Sequence, residues 1–115
     1  MRTRIAAILT LCLLASPAMA AESFYDRLVK IAKDVQALPA GTKPATATPA
    51  AVELEAKAKS CKPNDLPCER EARRLATKLD TSLMQDANMA KMHKETARLE
   101  QIEKIRAALM KQLNA

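Results

Sequence analysis

At 115 residues, with a formal charge of +6, one glycine and almost no aromatic residues, the chain has room for one domain at most. Its lysines and arginines are interspersed with acids, which excludes the clustered cationic face of a nucleic-acid-binding domain. Abundant alanine and scarce large apolar residues exclude a sheet or a wide globular core and favour helices meeting along narrow seams, all-α in class.

The chain opens with Met1-Arg2-Thr3-Arg4, continues as an uncharged run from Ile5 to Ala15, and reaches Ser16-Pro17-Ala18-Met19-Ala20. A positive start, a short apolar stretch and a small-x-small triplet are the order of a secretory signal, so cleavage is expected after Ala20 and the location is expected to be periplasmic. The run is about half the twenty apolar residues that a spanning helix needs. Cys12 follows Leu11 inside that run, so it lacks the small preceding residue of a lipid-acceptor cysteine. Loss of Arg2 and Arg4 lowers the formal charge from +6 to +4.

From Ser23 the pattern turns helical. Ser23 is placed to N-cap, with Asp26 three residues on in a capping-box position. Phe24, Leu28, Ile31, Val35 and Leu38 recur at steps of four and three, which puts all five on one stripe. A helix over 21–38 with such a seam is expected to dock an envelope protein or a second copy of the chain. Its balanced charges argue against a helix lying on a membrane. Residues 39–49, PAGTKPATATP, hold three prolines, the sole glycine and no large apolar residue. They read as a flexible or polyproline-like linker that tethers the first helix.

Thr48 and Pro49 suit the cap and first position of a second helix running to about Ser60. Val52, Ala56 and Lys59 share one of its faces, and its apolar character is weak. The corner from Cys61 to Cys68 carries Pro63, Asn64, Asp65 and Pro67, which end one helix and begin another. An even cysteine pair in an exported chain predicts a disulfide, Cys61–Cys68, and the spacing is too wide for a C-x-x-C redox motif. Residues 50–115 are thus expected to form a disulfide-stapled helical domain, hairpin-like or coiled-coil-like.

Between Cys68 and Leu113 there is no proline or glycine. Leu75, Leu79 and Leu83 form one apolar stripe, and Met92, Leu99, Ile102, Ile105, Leu109 and Leu113 form another that is out of phase with it. Without a breaker, one continuous or bent helix is the expectation, and a turn near 80–89 is the alternative. The mixed charges from Glu69 to Arg74 read as a solvated face.

For chemistry the sequence offers little. No nucleophile–base pair, nucleotide loop or haem motif is present, and the single histidine, His93, has no orienting partner nearby. The expectation is therefore a non-enzymatic interaction protein without a cofactor. The alternative is a periplasmic copper-binding protein. In the run 84–93, Met89 stands three residues before Met92 and four before His93, so two thioethers and an imidazole share a helix face, a soft set suited to copper. Methionines filling a seam beside a surface histidine explain the same residues without metal.

Overall fold

The computed structural model describes residues 23–41 and 45–114. The segment read as an export signal, 1–20, lies outside the described residues, as does part of the linker. Helix α1 (Phe24–Gln36) starts at the expected capping box: the Ser23 hydroxyl accepts from the Asp26 amide at 3.1 Å, and the Ser23 amide donates to the Asp26 carboxylate at 3.2 Å. Two of the orphan donors that open any helix are thereby satisfied.

Helix α2 (Ala47–Ser60) begins two residues earlier than Thr48–Pro49 suggests. Thr46 takes the cap position yet makes no side-chain cap bond of its own. Its amide, its hydroxyl and the amide of Ala47 instead donate to Asp86, reached from another helix at 2.9, 2.8 and 2.9 Å. Pro49, third in the helix, costs nothing there, because it falls among the donors that lack an intrahelical partner.

Helix α3 (Leu66–Met92) starts on Asp65, whose carboxylate accepts from the Cys68 amide at 3.1 Å, with Pro67 in its first turn. The disulfide Cys61–Cys68 closes the α2–α3 corner at a Cα separation of 5.7 Å. Helix α4 (Thr96–Leu113) completes the chain.

The favoured single helix over 68–113 is not what forms. The break lies at 93–95, beyond the 80–89 alternative. Lys94 adopts a left-handed φ of 57°. The Glu95 amide bonds the Ala90 carbonyl at 2.8 Å and the Lys94 amide bonds that of Lys91 at 3.2 Å. This pair of bonds is a Schellman ending with lysine in the place usually held by glycine.

Consecutive helices pack as neighbours, and α1 also packs on α4, so the four close into an up-and-down bundle. Antiparallel register is fixed by polar cross-links. Arg27 donates to Gln112 at 2.7 Å, Arg106 to Asp80 at 3.0 Å, and Arg98 to the Pro39 carbonyl. The core is all-α and continuous: Leu28, Val35, Leu54, Leu79, Leu83, Ile102 and Leu109 are fully buried in it. Burying each such side chain is worth about 1.5–3 kcal/mol.

Helix α1 therefore belongs to this core rather than hanging from a tether. The described linker residues are held as well, since Pro39 and Gly41 lie against Arg98 and Glu95 of the α4 start. On α2 the buried face is Ala47, Ala50, Ala51, Leu54 and Ala58, while Val52 points out at 52 % exposure. Small side chains let α2 sit close between α1 and α3, which is why its inward face reads as weakly apolar.

Candidate functional site

The five seam residues of α1 are used inside the protein. Leu28, Ile31 and Val35 are buried, and Phe24 and Leu38 pack half-buried against the same core. A partner has no access to that stripe while α1 stays docked. At the α1 start, Phe24 and Tyr25 meet edge to face at 5.7 Å, and the Arg73 guanidinium lies 4.6 Å from the Phe24 ring. A groove of about 410 Å³ runs between this aromatic pair and Ala58, Cys61 and Pro63. Burial, followed by the charges of Glu69 and Asp65, pushes the Tyr25 phenol above its ordinary value.

The outer side of the α3–α4 pair carries an arrangement that was not apparent in the sequence. Asp80 and Arg106 form a bridge across the two helices, with side chains 15 % and 25 % exposed. The hydrogen bond that Arg106 donates to Asp80 holds the guanidinium pKa above its ordinary value. Met84 stands four residues after Asp80, and Met110 stands four after Arg106. Because α3 and α4 run antiparallel, the two methionines fall on opposite sides of the bridge along one seam. Both open to solvent, Met84 at 43 % and Met110 at 38 %. The result is a neutralised ion pair flanked by two flexible apolar side chains.

At the far end of α3, Met89 and Met92 lie in the last turn of the helix and His93 is its C-cap. The first turn of α2 meets α3 at Ser82 and Asp86, so residues 87–92 run about 9 Å past the start of α2. Met89 lies two turns beyond Ser82 on the same side. Met89 is half-buried, whereas Met92 and His93 are exposed. Met84 is on the other flank of α3 and takes no part.

The one buried charged residue among those described is Asp86, at 5 % exposure. It accepts the three hydrogen bonds from Thr46 and Ala47 described above, and the Thr46 hydroxyl also reaches the Ser82 carbonyl at 3.1 Å. A signal for it existed: Asp86 interrupts the stripe Leu79, Leu83, Ala90 at helical spacing, and an acid on a buried stripe needs donors from elsewhere. Among the described residues no three His, Cys, Asp or Glu side chains gather as a metal cage, and no helix is long and apolar enough to cross a membrane.

Compared with known proteins, the chain matches no family model, no curated protein and no solved structure at a significant level.

Proposed function

We propose that this is a non-enzymatic accessory protein of the cell envelope, exported to the periplasm with residues 1–20 removed, that docks a protein partner through the outer α3–α4 seam. The observation that supports this most is the Met84–Asp80–Arg106–Met110 face. Flexible thioether side chains suit adaptable protein contacts, and a bridge already neutralised costs less to desolvate than a lone charge. The face replaces the α1 stripe as the docking element, because that stripe is committed to the core. The disulfide fits an oxidising compartment.

A photo-crosslinking side chain placed at Met84 or Met110 in producing cells tests the proposal. The expected result is a discrete adduct from both positions that weakens when the other methionine is changed to glutamate. An adduct at twice the mass of the mature chain identifies the partner as a second copy. Absence of adducts from both positions, with a monomer on size exclusion, overturns the reading.

A further inference from the structure

We infer that the exposed tip of α3 binds a single soft monovalent metal ion, with Cu(I) as the chemical type, through the thioether sulfurs of Met89 and Met92 and one imidazole nitrogen of His93. Three observations carry it. The first is phase. Successive helical residues turn by about 100°, so Met92 and His93 flank the direction of Met89 one turn earlier. His93 keeps that phase because it is the C-cap of α3, with φ −92° and ψ 8°, and its amide still bonds the Met89 carbonyl at 3.0 Å.

The second is exposure. Methionines ordinarily fill irregular gaps in a core, yet Met92 is 72 % exposed and fills none. The third is position. Helix α2 begins opposite Ser82 and Asp86, so the turn that carries Met89 and Met92 runs beyond the start of α2.

Two thioethers and a neutral imidazole are a soft set that carries no charge to the ion, which favours Cu(I) over zinc, magnesium or calcium. The ion also lies at the carbonyl end of α3, where the helix dipole favours positive charge. That partly offsets Lys91 and Lys94 on either side. The proposed docking face lies on the other flank of α3, so the two proposals stand or fall separately.

The test is an anaerobic titration of the purified, disulfide-intact protein with Cu(I) against a chromophoric Cu(I) chelator, together with methionine methyl NMR. One saturable site is expected, with the Met89 and Met92 methyl signals shifting and those of Met84 and Met110 staying in place. Met89→Leu, Met92→Leu and His93→Ala should each weaken binding by at least roughly tenfold, while Met84→Leu leaves it unchanged. Silver(I), which needs no reductant, should reproduce the same shifts. Circular dichroism of each variant separates lost binding from lost fold. No saturable site, or equal binding by the Met89→Leu, Met92→Leu and His93→Ala variants, overturns the inference.

Discussion

The carboxylate of Asp86 on α3 serves as the N-cap of α2 through Thr46, a residue forty positions earlier in the chain. Thr46 holds the cap position but spends its hydroxyl on Asp86 and on the Ser82 carbonyl rather than on its own helix. Capping is thereby turned from a local device into a tertiary contact.

Replacing Asp86 by alanine leaves the buried Ala47 amide and the part-buried Thr46 amide without their acceptor. Each unsatisfied buried donor costs about 1–3 kcal/mol, so Asp86→Ala should lower unfolding free energy by about 2–4 kcal/mol. Asp86→Asn, which keeps one acceptor oxygen, should lose roughly half of that. Urea unfolding measures both, and an unchanged midpoint for the alanine variant contradicts the cap.

The Cys61–Cys68 bond closes a short ring, and the chain-entropy relation gives about 2–3 kcal/mol for it. Replacing both cysteines by alanine, or reducing the protein, should lower the urea midpoint accordingly and leave the helical circular dichroism largely intact in the absence of urea. Full loss of helix on reduction would mean that the core cannot hold α2 unaided.

Lys94 occupies a left-handed backbone conformation that costs a side-chain-bearing residue about 1–2 kcal/mol. Part of that returns as chain entropy when glycine is used instead, so Lys94→Gly should raise stability by up to about 1 kcal/mol. Lys94→Val should lower it, since a β-branched residue tolerates this conformation least. Thermal unfolding of the two variants should move in opposite directions, and a shared sign contradicts the Schellman turn.

Glu55 accepts from Lys59 at 2.6 Å and from Gln36 of α1 at 2.8 Å, which ties α1 to α2. The Lys59 bond, then the Gln36 bond, hold its carboxyl below the ordinary value of 4.5. A carboxylate with a lowered folded-state pKa contributes stability above its unfolded pKa and loses it as pH falls through the folded one. The stability gap between the native protein and Glu55→Gln should therefore be constant above pH about 5 and shrink as the pH falls below about 4. Melting temperatures across that range measure it, and a gap that widens on acidification reverses the sign.

Much of the architecture was legible residue by residue. The Ser23–Asp26 capping box, the α1 stripe, the Asp65 cap and the cysteine staple each depend on side chains close in sequence, and local patterns report such contacts directly. What local pattern missed was set from a distance or hidden by an atypical residue. The turn at 93–95 carries Lys94 where glycine or asparagine would have announced it, so the out-of-phase stripes were the only trace. The inward face of α2 is alanine apart from Leu54, and its largest exposed apolar residue, Val52, pointed to the wrong side. The start of α2 depends on Asp86, which no window around residue 47 contains. Of the candidate sites, the Met89–Met92–His93 spacing was visible because it is intrahelical. The Met84–Met110 face was not, because it exists only once α3 and α4 fold back on each other.

Helix α2 is fastened at one end by Asp86 and at the other by the bond to Cys68, and both fastenings belong to α3. Between them its inward face is mostly alanine, which holds little by size. This orders events in time. A short helix without tertiary support is marginal in water, so residues 47–60 have to wait for α3 before they become lasting structure. Helix α2 is thus completed by a helix that follows it in the sequence. Hydrogen-exchange protection should accordingly be acquired in α3 and α4 before it appears in α2.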